Sequence, residues 1–402
     1  MFFSLLCLVN IAIVTYTFYP EINARALRVT ELAREFCRRN HRVIVFIPDI
    51  NQYLGDIENT HGLEIVKVSP GFFLNRKERI LAKSHHITGD SSNNSALPPE
   101  TGKPSFSKIV KKKIVEFFYM GAFPFEFSFT CARELGKPGY RFDLLISSAL
   151  PICAHLAGGM AKIRNKNLAK VMVADYGDPY SGNDNINPPF FHKWVEKYLV
   201  NRYDYASVPR INSYYCKIPF KRQERILEIP QGIKISDYKR AGYVPGKNPV
   251  FACAGTFYER IRNPSAFLDY LCSSFHLPFK FFMYTDFNNR DSFDLLSPYI
   301  SKLEERLTVS PLIPRQELIY ELSKADFLIN IANKNDGPLP SKLIDYKICG
   351  RPVYSFKQEE FSPEIFNEFI TGNYRNDFCR VMDIEKYKIE NVAQKFLDLA
   401  RQ

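Results

Sequence analysis

The 402-residue sequence contains no Asp-x-Asp, no Cys-x-x-Cys and a single tryptophan. Asp-x-Asp is one arrangement that clamps a divalent cation on a phosphate, and without it a metal clamp is not expected. The nine cysteines stand at 7, 37, 131, 153, 216, 253, 272, 349 and 379. An odd, scattered set argues against a disulfide framework or zinc cluster and for a reducing compartment. The first 20 residues, MFFSLLCLVNIAIVTYTFYP, lack charge altogether. The run is long enough to span a bilayer. Asn10, Thr15 and Thr17 interrupt it, however, and it lacks the basic segment that opens a secretory leader. Asn10 to Thr17 reads instead as a buried parallel strand, with residues 1–9 carrying an apolar extension suited to lie on a membrane. Short-period repeats are absent. None of the seven histidines belongs to a Ser-His-Asp or Cys-His set: His85 and His86 fall in a polar loop, and His155 reads as a packed core residue.

What the chain does have is basic charge, unevenly placed. Residues 1–250 hold 35 Lys and Arg against 22 Asp and Glu, while residues 251–402 hold 19 against 21. A basic half joined to a near-neutral half suggests that one half faces something anionic. No nucleic-acid reader motif is present, so nucleic acid is not the expected partner. Strand and helix patterns alternate throughout, which predicts an α/β fold on parallel sheets. NIAIVTYT, HRVIVFIPD, LEIVKVS, FDLLISS, KVMVAD, YASVP and RILEIPQG are the first strand series. In the first helix Ala26, Val29, Leu32 and Ala33 share one face, with Arg28, Glu31, Glu35 and Arg38 largely elsewhere. Residues Ala82 to Ser107 are rich in Ser, Asn, Gly, Pro and Thr and read as a loop. The polar stretch Ile233 to Asn248 reads as a linker, after which PVFACAG opens a second series. Two Rossmann-like domains facing each other across a cleft are expected: residues 1–235 and 249–402, the final helix packing back on the first.

GPLPSKLIDYKICGRPVY, residues 337–354, is the densest constellation. It follows the strand DFLINIA, so it lies at a strand's carboxyl end, where open α/β sheets bind ligands. Pro340 suits a first helical position. The amides of Ser341, Lys342 and Leu343 then point out of the helix end as an anion site, and Lys342 adds a full charge suited to a diphosphate. Asp345, one turn on, can accept hydrogen bonds from a ribose. A capped surface helix with an i,i+3 Lys–Asp pair has the same pattern. The loop AGTFYERIRNP, residues 254–264, supports the ligand reading. Gly255 permits close backbone approach, Thr256 follows it, and Arg260 and Arg262 can reach a phosphate.

With these motifs the chain resembles the retaining, nucleotide-sugar-dependent glycosyltransferases of the two-Rossmann-domain (GT-B) type, in the large family 4 grouping. FYPEINARALRVTELAREFCRRNHRVIVF is similar to that family's first strand, loop and helix. FDLLISSALPICAH and VMVADYGDPYSGN resemble its mid-domain strand ends, and ILEIPQGIKISDY its junction between domains. FACAGTFYERIRNP and PSKLIDYKICGRPVYSF resemble its donor loop and donor helix. The chain departs from the pattern in four places, one of them a three-residue stretch. Gly337 stands where the first glutamate of E-x7-E belongs, and Asp345 replaces the second. Thr256 replaces an arginine, so phosphate binding falls to Arg262 or Lys342. Asn23-Ala24-Arg25 replaces a glycine-rich loop.

The resemblance implies transfer of a sugar from a nucleotide-sugar donor to a glycan or lipid-linked acceptor, with retention and without a metal or other cofactor. The donor site implied is Gly255, Thr256, Arg262, Ser341, Lys342, Leu343 and Asp345. On the acceptor side Asp178, in ADYGDPYSGN, is the candidate base, with Asp175 as the alternative acid. Asp178 also fits a turn acid before Pro179. Asn23 and Arg25 are candidate acceptor or phosphate contacts, Arg25 equally a helix-start surface residue. Lys111, Lys112 and Lys113, beside Val115, Phe117 and Phe118, fit either an anionic membrane surface or a core-packed aromatic face. The expected setting is surface polysaccharide assembly in the cytoplasm, peripheral to the inner face of the cell membrane. A nucleotide-sugar epimerase of the same fold and a non-catalytic glycosyltransferase-like partner are the competing readings.

Overall fold

The computed structural model describes residues 8–21, 23–50, 57, 60–71, 125–183, 188–334 and 342–401. The basic segment at 111–118, the loop at 82–107 with His85 and His86, Gly337 and Ser341 lie outside them. The chain forms two compact units, Met1–Gly232 with Ile389–Gln402, and Ile233–Lys388.

Seven parallel strands build the first unit: β1 (Asn10–Thr15), β2 (Arg42–Pro48), β3 (Leu63–Val68), β4 (Phe142–Ala149), β5 (Ala169–Tyr176), β6 (Tyr205–Val208) and β7 (Ile226–Glu228). Their order is β3-β2-β1-β4-β5-β6-β7. The β1 side chains from Ile11 to Thr15 are all buried, as a central parallel strand covered on both faces requires. Helices α1 (Ala24–Arg38) and, from the chain's end, α10 (Ile389–Ala400) cover one face through Val29, Leu32, Phe36, Val392 and Phe396. Helices α2 (Phe125–Leu135), α3 (Cys153–Arg164) and α4 (Phe190–Val200) cover the other. The strand order reverses between β1 and β4, which makes their carboxyl ends a switch point of the kind that binds ligands. Among the described residues no helix is long and apolar enough to cross a membrane.

The expected apolar face of α1 is buried as its spacing requires, but Arg28 and Glu35 are buried with it. Periodicity alone places both among the outward residues. The physical reason is polar pairing: Arg28 reaches Asp175 and two main-chain carbonyls, and Glu35 accepts from Arg38 and Arg39. Asn23 is the N-cap of α1, its Oδ1 accepting from the Ala26 amide at 2.8 Å.

The second unit has five parallel strands, β8 (Val250–Ala254), β9 (Lys280–Thr285), β10 (Leu307–Pro311), β11 (Phe327–Ile331) and β12 (Val353–Phe356), ordered β10-β9-β8-β11-β12. Helices α5 (Ser265–Ser273), α6 (Arg290–Leu303), α7 (Arg315–Leu322), α8 (Lys342–Cys349) and α9 (Pro363–Ile370) pack against it. One sheet face rests on a phenylalanine cluster around Phe251, whose ring lies 4.7–5.4 Å from those of Phe279, Phe281, Phe327 and Phe366. Such offset and edge contacts account for part of the high Phe content.

The stretch read as a linker, Ile233 to Asn248, is laid against the second unit rather than suspended. Ala241 donates its amide to Ser323 Oγ at 2.7 Å, and Tyr243 donates to Asp326 while the Arg351 guanidinium lies 3.5 Å from its ring centroid. Polar, turn-rich composition marks the segment as surface chain, and these side-chain bonds, which composition does not reveal, pin it there.

Candidate functional site

Two polar clusters stand at strand carboxyl ends, one in each unit. In the second unit β8 ends at Ala254 and passes into Gly255, whose φ of +129° favours glycine. A Cβ at this position would lie 3.4 Å from Arg262 Nη1 and 3.6 Å from Lys342 Cδ, so two cationic side chains converge on one point of bare backbone. Arg262 is aimed by its neighbours. Its Nε and Nη2 donate to Asn333 Oδ1 at 3.1 and 2.8 Å, and Nη1 donates to the Thr256 carbonyl at 3.1 Å. Lys342 opens α8 and donates from Nζ to the Ile331 carbonyl at 3.3 Å. Burial, and then the nearby Arg262 charge, push the Lys342 ammonium well below the ordinary lysine range. Burial likewise lowers Arg262. Among the described residues neither cation has a carboxylate partner within ion-pair distance.

The start of α8 is fixed from below by Tyr346, whose buried hydroxyl accepts from the Ala254 amide at 2.7 Å and faces the Ala254 and Ile329 carbonyls at 3.3 Å. Leu343 is buried in the core and presents only its main chain. Asp345 is held by Arg315, whose Nε donates to Oδ1 at 2.7 Å and whose Nη2 donates to the same oxygen. Burial raises the Asp345 carboxyl, and Arg315 opposes the rise. Helix α8 ends at Cys349, followed by Gly350 with a φ of +69° and by Pro352, a glycine and a proline that each stop a helix. Sequence reasoning misses Asn333, Arg315 and Tyr346. Only the Tyr at the position after Asp345 had a local signal, an aromatic on the buried side of a short helix.

The first unit's cluster centres on Asp175, at the end of β5. Its carboxylate receives Arg28 Nε and Nη2 at 2.8 and 2.7 Å, Arg25 Nη1 at 3.2 Å, and the hydroxyls of Ser207 and Ser148 at 2.8 and 3.3 Å. Burial alone would raise this carboxyl, but Arg28 and the other donors outweigh it and hold it down at about 2. Asp175 is therefore a permanently charged keystone rather than an acid that exchanges protons near neutrality. Arg28 also donates to the carbonyls of Ile229, at 3.0 Å, and Pro230, at 2.5 Å. Arg25, partly exposed at its edge, lies over Gly177, where a Cβ would fall 1.2 Å from Arg25 Nη2.

Asp178 accepts from the Tyr214 hydroxyl at 3.1 Å. Burial raises its carboxyl, against the lowering effects of Arg25 and Tyr214. The cluster thus offers a fixed cation at an accessible edge and a carboxylate displaced toward the proton-accepting range. His155 is a core residue: its Nδ1 meets Ser147 Oγ at 2.6 Å, and burial lowers it to about 3. Among the described residues no group of three or more His, Cys, Asp or Glu stands together as metal ligands.

No protein-family model matches the chain, and no curated protein sequence matches it. Solved structures do. A glycosyltransferase from Rickettsia africae ESF-5 superposes with a TM-score of 0.65 at 11% identity, covering 98% of each chain. The lipopolysaccharide outer core galactosyltransferase WaaB superposes at 0.59 with 9% identity, over 97% of this chain and 98% of that one. Anabaena HepE, solved with UDP-glucose, superposes at 0.53 with 13% identity and 98% coverage of both. Full-length likeness across these structures establishes the two-Rossmann-domain, GT-B fold. At such identities it establishes the fold alone.

Proposed function

We propose that the chain is a glycosyltransferase whose second unit binds the diphosphate of a nucleotide-sugar donor at Gly255, Arg262 and Lys342. The observation that carries this reading is the pair of cations with no described carboxylate partner. Two like charges brought together and partly desolvated are unfavourable by themselves. A diphosphate placed over Gly255 supplies the missing negative charge, and the first amides of α8, from Lys342 onward, add donors at the positive helix end. The same groups then stabilise charge developing on the leaving diphosphate, a role that elsewhere falls to a bound cation.

The sugar transfers with retention to a hydroxyl of a glycan or lipid-linked acceptor, without a metal clamp. Asp178 of the first unit positions and deprotonates that hydroxyl, with Arg25 and Asn23 as neighbouring contacts. Asp345 contributes to the nucleoside side, sharing its carboxylate between Arg315 and a ribose. The setting that fits is polysaccharide assembly on the cytoplasmic side of a membrane. WaaB acts on a lipopolysaccharide outer core, and HepE was solved with UDP-glucose. Uridine diphosphate sugars are accordingly the first donors to test.

Thermal unfolding of the full chain against a panel of nucleotide sugars tests the reading. A ligand at 100 times its Kd stabilises the folded state by roughly 2.7 kcal/mol, a readily measured rise in Tm. One sugar nucleotide raising Tm in the native chain, and failing to do so in Arg262→Ala and Lys342→Met, supports the assignment. No response to any member of the panel overturns it.

A further inference from the structure

Helix α4 presents an outward face that is unlike the solvated face of an ordinary surface helix. Its inner positions, His192, Glu196, Leu199 and Val200, are buried against the first unit. The outer positions carry Phe190, Trp194 and Tyr198, which are 86, 75 and 59% exposed. These are i, i+4 and i+8, so the three rings form one column about 12 Å long. Lys193 and Lys197 are exposed between them, and Arg202, just past the helix, places its guanidinium 4.4 Å from the Tyr198 ring centroid. Lys221 joins the same end, its amide donating to Asn201 Oδ1 at 2.8 Å. The helix has one acid, Glu196, and it is turned inward, accepting from Tyr176 at 3.1 Å and from the Ser181 amide at 3.2 Å. The outward face therefore combines aromatic rings and positive charge, with no carboxylate among them.

We propose that this face of α4 docks on an anionic lipid bilayer, with Phe190, Trp194 and Tyr198 seated at headgroup depth. Lys193, Lys197, Arg202 and Lys221 would then lie against the lipid phosphates. The charge identifies the occupant. A column of rings alone fits any apolar partner, but cations at each turn, with the only acid withdrawn, complement a continuous sheet of negative headgroups. Trp and Tyr favour that interfacial depth because their rings have one apolar and one polar side. A lysine flanking an inserted ring keeps its ammonium in the headgroup layer while its stem lies along the ring. The inference concerns where the chain resides and does not depend on the donor reading.

Trp194 is the only tryptophan in the sequence, so the native protein reports on this face directly. Full-length protein is mixed with vesicles of phosphatidylcholine alone and of phosphatidylcholine with phosphatidylglycerol. Anionic vesicles are expected to shift Trp194 emission to the blue, brominated acyl chains to quench it, and zwitterionic vesicles to leave it unchanged. Co-sedimentation with anionic vesicles should fall by at least about tenfold in Lys193→Glu/Lys197→Glu and in Phe190→Ser/Tyr198→Ser. These exposed substitutions leave the core intact, so the Tm of each variant should match that of the native chain. Four results overturn the proposal. They are no shift with anionic vesicles; binding unaffected by either pair; Trp194 already shielded from iodide in the free protein, which assigns the face to the chain itself; and shielding that grows with protein concentration without vesicles, which assigns it to a second copy.

Discussion

Arg28 donates to both carboxylate oxygens of Asp175, at 2.8 and 2.7 Å, and from the same guanidinium reaches the carbonyls of Ile229 and Pro230. One buried arginine thus joins α1, β5 and the chain beyond β7. Removing one partner leaves the other charged and unpaired, which costs about 3–5 kcal/mol for a buried pair. Asp175→Asn should lower unfolding stability by that amount in urea titration. The native pair also sets an acid limit. Asp175 is depressed in the folded state to about 2. Its stabilising effect is complete above the unfolded carboxylate pKa, ~3.9, and is lost as pH falls from there through about 2. Native stability should drop across that window more steeply than that of Asp175→Asn.

Gly177 is defined by Arg25. A methyl group at this position meets the guanidinium at 1.2 Å, so Gly177→Ala must expel Arg25 from its seat beside Asp175 and Ser148. Overpacking of this kind costs about 1–3 kcal/mol. In Arg25→Ala the obstruction is gone. The double variant Gly177→Ala/Arg25→Ala should therefore lose less stability than the two single losses added together, with a coupling of roughly 0.5–3 kcal/mol. Additive losses would show that the two residues do not share the space.

These relationships mark where sequence reasoning succeeds and where it stops. The strands and helices were legible because parallel sheets write themselves as apolar runs alternating with amphipathic helices. The end of α8 was legible because Gly350 and Pro352 have local conformational causes. The convergence of Gly255, Arg262 and Lys342 was half legible: loop and helix each carried a signal, but Asn333, which aims Arg262, sits 71 residues away in sequence from its partner. Arg315, 30 residues from Asp345, is likewise a product of the fold and not of any local pattern. Arg28 looked like an outward helix residue because hydrophobic periodicity scores it as polar, and only Asp175 explains its burial. The α4 aromatic face follows from a register that places the polar His192 and Glu196 inside.

Lys342 provides a proton-linked test of the donor site. In the free protein burial and Arg262 hold its folded-state pKa below the unfolded value. The folded form therefore binds fewer protons, and stability of the free protein should rise as pH increases through the alkaline range toward ~10.4. A bound diphosphate favours the charged ammonium, so binding should take up protons in that range and weaken as pH climbs. Calorimetric titration in buffers of different ionisation enthalpy measures the uptake. Lys342→Met keeps the side-chain volume and should abolish it, while leaving the free protein at least as stable as the native chain.

Substitution of Asp178 separates catalysis from binding. Burial raises its carboxyl above the ordinary range, with Arg25 and the Tyr214 hydroxyl opposing. A base must be ionised, so turnover should fall as pH drops, at a pH higher than the ~3.9 of an ordinary aspartate. Asp178→Asn keeps the shape and the Tyr214 contact but cannot accept a proton. Its kcat should fall by about 10²–10⁴, the span typical of positioned acid–base groups, with donor KM little changed. Tyr214→Phe removes one donor to the ionised form, which should move the acid limb of the profile to still higher pH while sparing the maximal rate. An Asp178→Asn variant with native kcat would remove Asp178 from the chemistry and leave it as a turn residue before Pro179.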